Sequence, residues 1–281
     1  MLRTMHNIEE YLHSQEIEAD LIQEVAAFRN QYSVAPEVQE RIAAPSLPFY
    51  GKDTLEMALS AILQGENLLL SGGKATGKNV LCETLSWVFG RPSYDISFHV
   101  NTDSASPIGT DTFRDNEVTL RKGPITLCGV LDEINMAKND AVSVLHATLD
   151  HRRRIDIPGY SRITLHPATR FIGTMNLGYA GTRELNEALV SRFLVIEMPP
   201  LDEATLAFLL RQHFPNLKQE ALEQFSGLFL DLQNKASHGE ISTKPLDLRG
   251  MIAGIRTIRS GLKPANAIRI GVLNKCFDPF E

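Results

Sequence analysis

The chain has 281 residues, 43% of them hydrophobic and 22% charged, and a formal net charge of −6. That length buries a sizeable core in one large or two modest domains, and the acidic balance counts against a chain-wide nucleic-acid-binding surface. Cys82, Cys128 and Cys276 are far apart and read as reduced core thiols, and no apolar window suits a signal peptide or a membrane span, so the expected compartment is the cytoplasm.

Residues 1–45 read as a helical extension. Ile17, Leu21, Ile22, Val25 and Phe28 recur at helical spacing, and Pro36, Pro45 and Pro48 punctuate the end of the segment. Phe49-Tyr50-Gly51-Lys52 opens the next unit, followed by a helix from Asp53 to about Leu63 and a buried strand at Leu68-Leu69-Leu70. Ser71 to Gly77 turn the chain, and from Lys78 the apolar spacing is again helical. Tyr94 to Val100 reads as a second strand. Residues 101–123 are polar and turn-rich, too long for an ordinary connection, and read as an insert.

Ile125 to Leu131 predicts a third strand ending in Asp132-Glu133, followed by a helix from about Lys138 to His151. RIDIPGYSRIT carries a hairpin pattern around Pro158-Gly159. Arg170 to Thr174 reads as a strand ending at Met175-Asn176, Leu185 to Val190 as helix and Phe193 to Ile196 as the last strand. Strands alternating with helices predict an α/β fold with a parallel sheet covered on both faces. After Pro199-Pro200 every segment reads helical, over 202–214, 217–236, 245–260 and beyond Pro264. The expected organisation is an extension over 1–45, an α/β core over 46–200 and a small all-α lid domain over 201–281.

The chemistry centres on GGKATGKN. Gly72 and Gly77 fit G-x-x-x-x-G-K, and Gly72, Gly73, Lys74, Ala75, Thr76, Gly77, Lys78, Asn79 and Val80 form a candidate phosphate loop. Backbone N–H groups, a helix N-terminus and the Lys78 charge all favour an anion there. Asp132 lies at the carboxyl end of a buried strand, where open α/β sheets bind ligands, and Glu133 is placed to activate a water. As an isolated pair the two would read as a solvated strand end. Asn176 is equally a water-orienting amide or ordinary turn chemistry before Leu-Gly. The basic run Arg152-Arg153-Arg154 reads as a solvated loop or a partner contact, and His99, His146 and His166 have no metal-ligand spacing.

GGKATGKN, GVLDEINMA, FIGTMN, NEALVSRF and LDLRG occur in the order and spacing of an AAA+ ATPase, and over about residues 49–260 the chain resembles the MoxR-type group with its gas-vesicle and dynein-related relatives. The resemblance implies a P-loop NTPase three-layer αβα core with a helical lid, and ATP and Mg²⁺ as ligands. Lys78 would contact the β- and γ-phosphates, Asp132 would be the metal partner, Glu133 the catalytic base and Asn176 the first sensor. Arg192 would be an arginine finger reaching the nucleotide of a neighbouring subunit, and Arg249 a second sensor. Without the motif context both arginines would read as surface ion-pairing residues. A finger supplied by a neighbour implies a ring, a hexamer as in the family, with a protein client or a von Willebrand A domain adaptor as partner.

Two departures stand out. Asn79 replaces the hydroxyl that ordinarily ligates Mg²⁺, leaving an amide oxygen as the second metal candidate beside Asp132. Lys74 and Ala75 replace the Pro and Gly common in the loop. An ATPase acting on a protein client is therefore expected, with a slowly turning nucleotide-dependent scaffold or a nucleic-acid motor subunit as the alternatives.

Overall fold

The computed structural model describes residues 8–42, 44–99, 102, 109–114, 117–122, 129–137, 139–156, 159–160, 162–177 and 182–277. Its contacts divide the chain into two units. Among the described residues, one holds 8–72 and Gly77–Met198, and the other holds Gly73–Thr76 with 199–277.

A five-stranded parallel sheet organises the first unit. In chain order its strands are β1 (Leu68–Gly72), β2 (Asp95–Ser97), β5 (Gly129–Asp132), β8 (Phe171–Asn176) and β9 (Leu194–Glu197), arranged β2-β5-β8-β1-β9. β1 lies between β8 and β9 and is wholly buried, which is why its sequence is a continuous leucine run rather than an alternation. The pleat still sorts those leucines. Leu68 and Leu70 join one apolar cluster with Ile172 and Ile196, while Leu69 joins another with Leu131, Phe171 and Phe193.

Helices complete each cluster. On one face lie α1 (Ile8–Ser14), α2 (Ala19–Gln31), α3 (Lys52–Leu63) and α4 (Lys78–Phe89); on the other lie α5 (Asn139–Thr148) and the short α6 (Glu187–Val190). The extension is thus built into the first core through Tyr11, Leu12, Ile22, Val25 and Phe28. Two polar ties reinforce it: the Tyr11 hydroxyl donates to Phe49 O at 2.6 Å, and Arg29 Nη1 donates to Trp87 O and Val88 O, at 3.0 and 2.9 Å, at the end of α4.

The 101–123 insert is more regular than its composition suggests. β3 (Gly109–Arg114) and β4 (Glu117–Lys122) pair antiparallel from Gly109↔Lys122 to Arg114↔Glu117. Polar residues outnumber apolar ones there, which hides the period-2 pattern of Phe113, Val118 and Leu120 on either side of Asp115-Asn116. Within the hairpin expected over 155–165, β6 (Arg154–Ile155) pairs antiparallel with β7 (Ile163–Thr164), and residues 157, 158 and 161 lie outside the described residues. The stretch 125–128 of the expected third strand, with Cys128, lies outside the described residues, as do Lys138, Pro107 and the Gly123-Pro124 break.

The second unit is helical: α7 (Glu203–His213), α8 (Gln219–Ser237), α9 (Leu248–Arg259) and α10 (Pro264–Gly271) surround a core that includes Leu206, Leu210, Phe229, Met251 and Ile255. Carboxylates cap two of the helices, Asp202 accepting from Thr205 N at 2.7 Å and Asp247 from Gly250 N at 3.1 Å. No helix among the described residues is long and apolar enough to cross a membrane.

Candidate nucleotide site

Parallel strands put their carboxyl ends on one edge, and the chemistry collects there. Register sets Gly72 beside Asn176 and Leu131 beside Gly173, so Asp132 emerges next to Thr174. From β1 the chain passes outward to β2, returns through β5 and β8, and crosses β1 to β9. The loop after β1 is therefore at the switch point where such sheets bind ligands.

Gly77 begins α4 with φ of +85°, and a Cβ there would lie 3.2 Å from the Phe49 ring, so both backbone and packing require glycine. Ala75 also has a positive φ, +60°, a strained conformation for an L-residue. A Cβ on Gly73 would meet nothing within 4 Å. The Thr76 hydroxyl donates to Gly73 O at 3.2 Å and Lys78 Nζ to Gly72 O at 3.0 Å. Burial pushes the Lys78 ammonium down to about 8, against the opposing pull of the Asp132 and Glu133 carboxylates. Val80, in the first turn of α4, packs into the apolar core and keeps its side chain out of the loop. Lys74 falls in the second unit, where burial lowers its pKa while Asp247 opposes that shift and Lys275 adds to it.

Asp132 is held by a hydroxyl and an amide. Its Oδ1 accepts from Thr174 Oγ1 at 2.6 Å and its Oδ2 from Asn79 Nδ2 at 3.5 Å. Glu133 takes a left-handed conformation with φ of +54°, its N–H donating to the same Thr174 hydroxyl at 3.0 Å. Its side chain is exposed, and Oε1 accepts from Asn176 Nδ2 at 3.2 Å. Lys78, Asn79, Asp132, Glu133 and Asn176 thus form one constellation. Sequence reasoning missed Thr174, 1% exposed, which bridges the two acidic residues. The available signal was a lone hydroxyl in an otherwise apolar strand, two residues before Asn176 and so on the same face.

Arg192 is elsewhere. Its carbonyl accepts from Asn67 Nδ2 at 3.5 Å, at the amino end of β1 and so about 16 Å of strand away from Gly72. Its guanidinium donates to His146 O at 3.2 Å and to Ala188 O. Arg249 is an exposed residue in the first turn of α9, in the helical unit.

Among the described residues no group of three or more His, Cys, Asp or Glu is arranged as a metal cage. A carboxylate with an amide side chain next to it, Asp132 and Asn79, does suit Mg²⁺, which binds through one or two protein oxygens plus substrate phosphates.

Comparison with known proteins bears on the family and the fold. Residues 67–193 match the family described as AAA domain (dynein-related subfamily). An uncharacterised protein of Bacillus subtilis, YojN, is 28% identical over 274 residues, covering 93% of this chain and 89% of that one. An uncharacterised protein of Staphylococcus saprophyticus, SSP1341, is 30% identical over 236 residues, covering 80% and 89%. Among solved structures, a candidate ATPase from Cytophaga hutchinsonii aligns with a TM-score of 0.51 at 20% identity; the match covers 74% of this chain and 60% of that one.

Proposed function

This chain belongs to the dynein-related subfamily of AAA domains, and we propose that it is an ATP-hydrolysing member, of MoxR type, that works as a ring on a protein client. The observation that carries the reading is the meeting of Lys78, Asp132, Glu133 and Asn176 at the carboxyl-end edge of one parallel sheet.

In this reading the loop N–H groups and Lys78 bind the β- and γ-phosphates. Asp132, fixed by Thr174, would hold Mg²⁺ together with the Asn79 amide, turned to present its oxygen, and the ion would supply charge screening for the phosphates. Glu133 takes the proton of the attacking water while Asn176 orients that water. Arg192, remote from its own loop, serves the site of a neighbouring copy, so the complete site needs a ring, a hexamer by family resemblance. Arg249 reads the γ-phosphate from the helical unit. A von Willebrand A domain adaptor or a misassembled client in the cytoplasm fits this class, and the resulting action is chaperone-like remodelling.

Glu133→Gln tests the chemistry. Hydrolysis should fall by roughly 10²–10⁴-fold with ATP binding retained, and wild-type specific activity should rise with protein concentration. Equal rates for the variant and the wild type would remove Glu133 from its role. A second reading, a nucleotide-dependent scaffold with negligible turnover, draws on the Asn79–Asp132 contact, in which the amide engages the metal partner directly. A large rate gain in Asn79→Thr would favour it; an unchanged rate would favour the ATPase.

A further inference from the structure

We infer that Asn135 is a positioning residue for the hydrolytic step, tying the turn that carries Glu133 to the strand end that carries Asn176. The inference rests on the ATPase reading above and adds a residue outside the motif roles already assigned.

Asn135 lies in the single 3₁₀ turn Ile134–Met136 immediately after Glu133 and is 4% exposed. Its side-chain Nδ2 donates to Asn176 O at 2.9 Å, and its backbone O accepts from Arg183 N at 2.9 Å. One residue therefore pins the chain on both sides of residues 177–182 to the carboxylate turn. Glu133 is attached to the same strand independently, through its N–H to Thr174 and its Oε1 to the Asn176 amide. Asn135 thus fixes the backbone of Asn176, while the Asn176 side chain faces the candidate base.

The other half of the Asn135 amide argues against a space-filling role. Oδ1 is buried without a hydrogen-bond partner among the described residues. An orphaned acceptor is costly, and a leucine, with the same branched four-heavy-atom side chain, would carry no such acceptor. What the amide supplies and leucine cannot is the donor to Asn176 O. A base and a water-orienting amide must share one water at hydrogen-bond distance, and misplacement by about 1 Å costs on the order of 100-fold in rate.

Asn135→Leu removes the donor and keeps the branched heavy-atom skeleton; Asn135→Asp keeps the shape and sets a lone pair against Asn176 O. In the full chain at fixed protein concentration, both should bind a fluorescent ATP analogue within about threefold of wild type while kcat falls about 10–100-fold and KM holds. Wild-type kcat in Asn135→Leu would overturn the inference. So would loss of nucleotide binding or of the folded state in both variants, because the amide would then support the fold and not the step. Glu133→Gln measured alongside separates the two ideas. A fast Glu133→Gln, or a wild type without hydrolysis, sinks the ATPase reading and this inference with it. A slow Glu133→Gln beside a fast Asn135→Leu sinks only the inference.

Discussion

ATP affinity should fall as pH rises through 8, because Lys78, the cation proposed to bind the phosphates, is buried. Lys78 Nζ packs over the loop against Gly72 O, and burial holds its pKa near 8 even with Asp132 and Glu133 close by. A polyphosphate binds the charged form, so binding draws the proton back on. The sign follows: the contribution is intact below pH 8 and is lost above it. With a free-state value of about 8, the ammonium is about 90% protonated at pH 7 and about 10% at pH 9, so the dissociation constant should rise about tenfold across that interval. Cys82, the thiol in the same neighbourhood, is pushed up by burial and stays neutral throughout. Titration calorimetry in two buffers of different ionisation enthalpy measures both quantities. Proton uptake should be about one half at pH 8 and approach one at pH 9. Lys78→Ala should bind weakly with no pH dependence over this interval. A wild-type constant that stays flat from pH 7 to 9, with no proton uptake, would refute the burial argument.

Two further perturbations probe the supports of the site and of the helical unit. Arg29→Ala removes a cation and two hydrogen bonds from the end of α4, which should cost about 2 kcal/mol and lower Tm by about 4–8 °C; a thermal melt indistinguishable from wild type would mean that solvent replaces the cap. Gly250→Ala would place a Cβ inside contact distance of Gly271 O and Lys275 Nζ where α9 meets α10. Separating those helices should cost about 1–3 kcal/mol, seen by calorimetry as a less stable helical unit, and unchanged stability would mean that the pair is less tightly packed than described.

The sheet and most of its helices are legible in the sequence because burial writes itself into composition. The leucine run of β1 and the apolar stripes of α3 and α4 have no other stable placement. Element ends were less legible. Of the strand expected over Tyr94 to Val100, Asp95–Ser97 is strand and Val100 lies outside the described residues, while the helix expected from Leu185 is a single turn, Glu187–Val190. The extension over residues 1–45 gave a helical period but not its purpose, since the bonds of Tyr11 to Phe49 and of Arg29 to Trp87 join residues 38 and 58 positions apart.

The sequence alone determined the class of chemistry here: a glycine-bounded loop ending in Lys78, an acidic pair at a strand end and a strand-end asparagine are local patterns whose residue types dictate what they can bind. Only the tertiary structure decided which side chains complete the site and which are kept from it. Thr174 and Asn135 join it, and Arg192 is left at the far end of β1. The physical reason is strand register. Parallel pairing aligns the ends of β1, β5 and β8 across long stretches of intervening chain, and no local pattern encodes that alignment.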